Sequence, residues 1–271
     1  MTTSAPELLL LADQNMAEFF REQARWLPGF QLVERDDVLW VAGGTRFPGG
    51  PLNCVLPLTS RGAADPERVI AEARTHFTAL DRGFSVHAPA HFGAGLARAC
   101  IAENLTRIGD TPGMVLEQPV ALATRELDGA EVSVRLVDSP LMAADFSEVC
   151  AGAYEALGMP AAVTRKVFSL PERWRNPYWH TFVVYERERA VSAAALLFSH
   201  GIAGIYWVAT SADARSKGYG ELVTRHASHH AFKAGARCVI LQASPFGEPI
   251  YRKLGFREIT RYPMFLSTLQ A

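Results

Sequence analysis

The stretch Ile205-Tyr206-Trp207-Val208-Ala209-Thr210-Ser211-Ala212-Asp213-Ala214-Arg215-Ser216-Lys217-Gly218-Tyr219-Gly220 begins as an apolar strand, crosses a short polar loop and runs into a helix that starts at its glycines. A helix start carries unpaired backbone N–H groups and the positive end of the helix dipole, so an oxyanion can be held there by main chain alone. Gly218 and Gly220 let the anion approach without meeting a Cβ, and Arg215 and Lys217 supply charge-assisted hydrogen bonds. Two familiar phosphate loops do not fit. A dinucleotide fingerprint needs a third glycine where Val223 stands, and a Walker loop needs Gly-Lys-Ser/Thr where the order is Ser216-Lys217-Gly218. A plain strand-to-helix turn stays open on this segment alone.

Moving outward, the helix from Gly218 to Ala234 leads to a strand at Cys238–Gln242, a short helix around Pro249–Leu254 and a last strand near Arg257–Phe265. Upstream, a strand at Val132–Val137, helices at Leu141–Leu157 and Ala161–Leu170, and strands at Thr181–Tyr185, Val191–Phe198 and Ile202–Val208 complete a mixed α/β order. The amino-terminal part reads similarly. It has a helix up to Pro28-Gly29, strands at Phe30–Val33, Val38–Ala42 and Asn53–Leu58, and a helix opened by Asp65-Pro66-Glu67. A strand at Phe84–Val86, a helix at Phe92–Ile101, a turn at Thr111-Pro112-Gly113 and a strand at Met114–Glu117 follow. The order restarts around Asp128-Gly129, which places a division between residues 1–130 and 131–271.

The segment Ser244-Pro245-Phe246-Gly247-Glu248-Pro249-Ile250-Tyr251-Arg252-Lys253-Leu254-Gly255-Phe256 follows the glycine loop after one helix and one strand. Arg215-x-x-Gly218-x-Gly220 and this segment, in that order and spacing, resemble the acyl-CoA-binding and closing motifs of the GNAT superfamily of N-acetyltransferases. The resemblance covers Val132 to the carboxy terminus. It implies the GNAT acyl-CoA N-acyltransferase fold, a mixed-sheet α/β architecture, with the amino-terminal part as a degenerate GNAT-like half. It also implies that the strand before the glycine loop splays from its neighbour, with Val208, Ala209 and Thr210 offering backbone to the pantetheine arm. Arg215, Ser216, Lys217, Gly218, Tyr219 and Gly220 then hold the pyrophosphate, with Glu221 next in the helix. Tyr251 matches the tyrosine that protonates the departing thiolate. Ser244 stands where the family usually has Asn, which departs from the pattern.

On this resemblance the expected enzyme is an N-acetyltransferase that carries an acetyl group from acetyl-CoA to a primary amine by direct attack in a ternary complex. Neither a metal nor an acyl-enzyme is called for, since no Cys or Ser lies in an activated nucleophile motif. The acceptor is a small amine or a peptide. A CoA-binding sensor or scaffold without turnover is the alternative. A phenol and a thiol titrate near about 10 and 8.5, close enough for proton transfer between them. No carboxylate occurs in Ile202–Thr210 to serve as base; Tyr206, Glu155 and His180 are weaker candidates.

Other segments read as structure. His226 and His230 have the i, i+4 spacing of metal ligands but lack further partners, so a helix face is expected. Arg173, Trp174, Arg175, Tyr178 and Trp179 are expected to be packing plus a loop, and the glycine-rich 43–50 a mobile hairpin loop.

The 271-residue chain has 49% hydrophobic and 20% charged residues, which excludes disorder as its main state. Its net charge of −1 gives no reason to expect nucleic acid or an anionic membrane. That balance conceals a division: residues 1–130 carry −5 and residues 131–271 carry +4, so the half with the phosphate motif is basic. The four cysteines form no Cys-x-x-Cys pair, Met1–Pro6 lacks a basic leader, and Leu8–Ala12 is stopped by Asp13. Together these lead us to expect a cytoplasmic protein, monomeric or homodimeric.

Overall fold

Ser4 opens the first helix by accepting the Glu7 N–H on its hydroxyl at 3.4 Å, with Pro6 in the first turn. The computed structural model describes residues 4–27, 29–122 and 131–268. Two compact units divide the chain, one of Met1–Gly113 with Glu258–Ala271, the other of Met114–Arg257.

The first unit starts with α1 (Ala5–Trp26), β1 (Gln31–Arg35), β2 (Val38–Ala42) and β3 (Asn53–Pro57). It continues with α2 (Pro66–Ala79), β4 (Phe84–His87), α3 (Gly95–Ala102) and β5 (Thr106–Leu116), whose last residues enter the second unit. The five residues of β2 and of β3 are buried throughout, so these strands do not alternate between buried and exposed positions. Phe77 of α2 stacks on Phe84 at 4.9 Å and anchors a core with Trp40, Val55 and Val86. Asp65 caps α2 by accepting the Arg68 N–H at 3.2 Å.

The second unit contains β6 (Val132–Leu136), α4 (Pro140–Glu155), α5 (Ala161–Val167), β7 (Trp179–Glu186), β8 (Arg189–Ser199) and β9 (Ile202–Thr210). Next come α6 (Tyr219–Lys233), β10 (Val239–Gln242) and α7 (Glu248–Lys253). Its strand order is β5-β10-β9-β8-β7-β6, antiparallel from β6 to β9 and parallel between β9 and β10. The last strand, β11 (Arg257–Ser267), returns to the first unit, where the order is β1-β2-β3-β4-β11-β5. There β11 pairs antiparallel with β4, Phe265 opposite Val86, and Tyr262 donates to Asp13 of α1 at 2.8 Å.

Three expectations change. The division expected at 130/131 adjoins residues 123–130, which lie outside the described residues. The compact units part instead at Gly113/Met114 and Arg257/Glu258, because β11 pairs with β4, more than 170 residues earlier, beyond the reach of a local composition signal. Thr111-Pro112-Gly113 is not a turn but part of β5. A Cβ on Gly113 would come within 2.7 Å of the Tyr262 ring, so the glycine serves a close approach. The 43–50 loop is pinned rather than mobile: buried Asn53 accepts the Gly43 N–H at 3.1 Å and donates to the carbonyls of Thr45 and Phe47 at 2.9 and 2.6 Å.

Candidate active site

β9 pairs with β10 through Ala203, Gly204 and Ile205, then runs on to Thr210. On its other side, Ala195 of β8 faces Tyr206 and Ala193 faces Ala209, so β9 carries one extra residue. Trp207 sits at this bulge with φ of 53°. Ala203 and Ile205 pack into the core with Val223, Ala227 and Ala231 of α6, and strict alternation would send Trp207 there as well. The left-handed residue turns it away. Its ring meets Tyr154 at 4.9 Å and Phe168 at 5.0 Å, and its carbonyl accepts the Cys150 thiol at 3.7 Å. The end of β9 is fixed by Ser192, whose hydroxyl donates to the Ala209 carbonyl at 2.6 Å and lies 2.9 Å from Thr210 Oγ1.

The loop from β9 to α6 holds Ser216 at φ 63° and Gly218 at φ 91°, and α6 starts with no side-chain cap. Successive backbone amides around left-handed residues form an anion-binding concavity, and the helix dipole adds to it. Tyr219 is buried, and its hydroxyl donates to Glu186 at 2.5 Å, which ties the loop to β7. Glu221 accepts from Lys253 at 2.8 Å and Arg225 at 2.9 Å, and these cations, Lys253 foremost, hold its carboxyl below its ordinary value.

A cavity of about 600 Å³ opens between these parts. Val208, Ala209, Thr210, Arg215, Ser216, Gly218, Tyr219, Gly220, Glu221, Ser244 and Tyr251 all line it, so the structure brings the predicted residues together. Lys217 is the exception. It lies outside the lining, with its ammonium 3.5 Å from Glu186, because that carboxylate on β7 competes for it. Ser244 makes the turn before α7: its hydroxyl and carbonyl accept the Gly247 N–H at 3.2 and 3.0 Å. Tyr251 is 6% exposed, and burial pushes its hydroxyl well above the ordinary phenol value. A Cβ on Gly247 would come within 2.7 Å of that ring, which makes this glycine the seat of Tyr251.

The weaker base candidates do not reach the cavity. Glu155 and Tyr206 are absent from its lining, and His180 lies 2.8 Å from His230, with its other ring nitrogen 3.1 Å from the Pro177 carbonyl. Because a carbonyl only accepts, His180 Nε2 carries hydrogen and Nδ1 accepts from His230 Nε2. Burial lowers both imidazoles. Among the described residues no three His, Cys, Asp or Glu side chains gather as a metal site. Arg173 stacks over buried Trp179 at 4.0 Å, so that part of the aromatic-basic cluster is packing.

Sequence reasoning missed Ala153, Tyr154, Ala156 and Leu157 of the α4 end, together with Phe246, Gly247 and Ile250. The signal for Tyr154 was present: Phe146, Cys150, Ala153, Tyr154 and Leu157 recur at helical spacing on one face. Burial comes first among the causes that raise the Tyr154 hydroxyl, and the nearby Cys150 and Tyr251 add to it.

A bulged strand of a mixed sheet, an uncapped glycine-led helix and a buried tyrosine on the next helix thus surround one cavity of the second unit. Residues 177–258 match the family model described as acetyltransferase (GNAT) domain, so the second unit carries that domain. No curated protein matches the chain. The fold is similar to that of a GCN5-related N-acetyltransferase from Kribbella flavida, at 18% identity over 94% of this chain and 96% of that one, with a TM-score of 0.69. It is also similar to a GCN5-related N-acetyltransferase from Sphaerobacter thermophilus, at 13% identity, 87% and 82% coverage and a TM-score of 0.61. A tandem GNAT protein from the clavulanic acid biosynthesis pathway aligns at 13% identity over 96% of both chains, with a TM-score of 0.53.

Proposed function

We propose that the protein transfers an acetyl group from acetyl-CoA to a primary amine within the cavity of the second unit. The observation that carries this reading is the convergence on one cavity of an uncapped helix start, a bulged strand end and the buried Tyr251 hydroxyl. Arg215 and the amides from Ser216 to Gly220 take the pyrophosphate. Val208, Ala209 and Thr210 present the backbone for the pantetheine arm and the thioester carbonyl. The neutral amine attacks that carbonyl, the oxyanion collapses, the C–S bond breaks, Tyr251 gives its proton to the departing sulfur, and the proton that the nitrogen sheds as the amide forms passes through water to restore the Tyr251 phenol. Burial keeps Tyr251 protonated throughout the neutral range, and a thiolate formed in the same apolar cavity is made more basic by the same desolvation. Lys217 serves the loop by its pair with Glu186.

The first unit is read as a degenerate counterpart of the second. Both use two antiparallel pairings followed by a parallel one, β1-β2-β3-β4 against β7-β8-β9-β10. Both end their last helix on a left-handed residue, Asn104 or Gly255, with the next N–H bonded to Cys100 or Tyr251. At α2 the Asp65 carboxylate caps the helix start and Pro66 removes a donor, so an anion is repelled where α6 would accept one. Cys100, fully buried and with a pKa pushed up to about 12 by that burial, replaces the tyrosine.

The test is Tyr251→Phe, assayed by CoA-thiol release over a panel of amines and by calorimetry with CoA. Loss of kcat by about 10²-fold or more with CoA affinity kept supports the transferase. CoA binding without thiol release from any amine by the wild-type protein supports the sensor instead.

A further inference from the structure

Tyr154 and Tyr251 line one cavity from two different helices, α4 and α7. On the acyl-transfer reading, Tyr251 stands at the thioester sulfur, so a group that bounds the same space beside the β9 bulge meets the acyl carbons attached one bond away. Tyr154 is braced from behind. Its ring packs on Trp207 at 4.9 Å, Trp207 packs on Phe168 at 5.0 Å, and Phe168 packs on Phe146 at 5.0 Å. Trp207 is 4% exposed and Phe146 3%, so the rings behind Tyr154 cannot withdraw into solvent. The bulge fixes Trp207 in this stack, and close-packed interiors do not yield to one added methylene without cost. Ala153 and Ala156, with small side chains, line the same cavity beside Tyr154.

We propose that Tyr154 is the specificity-determining residue that limits the acyl donor to a short chain, and that truncating its ring opens the cavity to medium-chain acyl-CoA. The inference rests on the acyl-transfer reading of this cavity and goes further by assigning its chain-length limit to one side chain. Each methylene that gains burial is worth about a fourfold gain in affinity, so four additional methylenes leave a tenfold change well within reach.

The experiment measures binding by calorimetry and thiol release for free CoA, acetyl-CoA, butyryl-CoA and hexanoyl-CoA with the wild-type chain, Tyr154→Phe, Tyr154→Leu and Tyr154→Ala. The expected wild-type protein binds acetyl-CoA at least tenfold more tightly than hexanoyl-CoA. Tyr154→Phe keeps the ring and the preference. Tyr154→Ala raises the hexanoyl-to-acetyl affinity ratio at least tenfold while free CoA binds as before, and Tyr154→Leu moves in the same direction if the alanine variant does not fold. A structural role alone would weaken all donors together. Equal wild-type affinity for acetyl- and hexanoyl-CoA, or a truncation that leaves the ratio unchanged, overturns the assignment while the CoA site stands. Failure of the wild-type chain to bind free CoA or any acyl-CoA overturns the acyl-transfer reading and this assignment with it.

Discussion

Gly247→Ala isolates the placement of Tyr251 from its chemistry, because the phenol stays and only its seat changes. Gly247 has φ −83° and ψ −32°, a conformation that alanine adopts without strain, so the effect is steric. The new Cβ would lie 2.7 Å from Tyr251 Cε2 and 3.0 Å from both Cζ and the hydroxyl oxygen. Non-bonded carbons settle at about 3.5–4.0 Å, so the ring edge has to retreat by about 0.8 Å or more. The ring is buried and lies 5.9 Å from Phe256 on its neighbouring turn, which leaves the motion little free space. Overpacking of this kind costs about 1–3 kcal/mol of stability. Misplacing a reacting group by about 1 Å costs up to 10²-fold in rate, so a kcat loss of about 10- to 100-fold is expected with CoA affinity nearly unchanged. Thiol-release kinetics, calorimetry with CoA and a melting curve check the three parts, and a crystal structure of the variant checks the displacement. A variant with wild-type kcat, or with Tyr251 in its original position, refutes the reasoning.

Arg215→Ala is expected to weaken CoA about tenfold, more at low salt, and to leave pantetheine, which lacks phosphate, unaffected; calorimetry with both ligands decides it. Asp65→Ala should cost about 1 kcal/mol of stability through loss of the α2 cap, with no change in CoA affinity, measured by urea unfolding and calorimetry. His87, 8% exposed with no hydrogen-bond partner at Nε2, has its pKa lowered to about 4 by burial. The unfolded chain takes up that proton near about 6.5, so stability is lost as pH falls from there toward the folded value, by up to roughly 3 kcal/mol. His87→Leu should flatten the urea midpoint between these pH values, and an unchanged slope would discount the residue.

The site was legible where its chemistry is local in sequence. Arg215, Gly218 and Gly220 mark a glycine-led helix start within six residues, and the structure gives that start positive φ at Ser216 and Gly218 and no side-chain cap. Tyr251 follows Ser244 by seven residues, and both line the cavity. The same local logic does not foresee the pairing of Lys217 with Glu186, because Glu186 belongs to another strand. It went astray at Thr111-Pro112-Gly113, where turn residues lie in a strand because the Tyr262 ring passes over Gly113.

What the sequence by itself determined is therefore the element order, the basic half and the glycine-led helix start, since propensity, periodicity and glycine geometry act over a few residues. Only the tertiary structure decided that β11 joins the first unit, that one extra residue at Trp207 turns its ring onto Tyr154, and that Asn53 pins the 43–50 loop. Each of these depends on strand register or on contacts between residues far apart in the chain. A register is chosen by the packing of both partners at once, and no single segment carries that information.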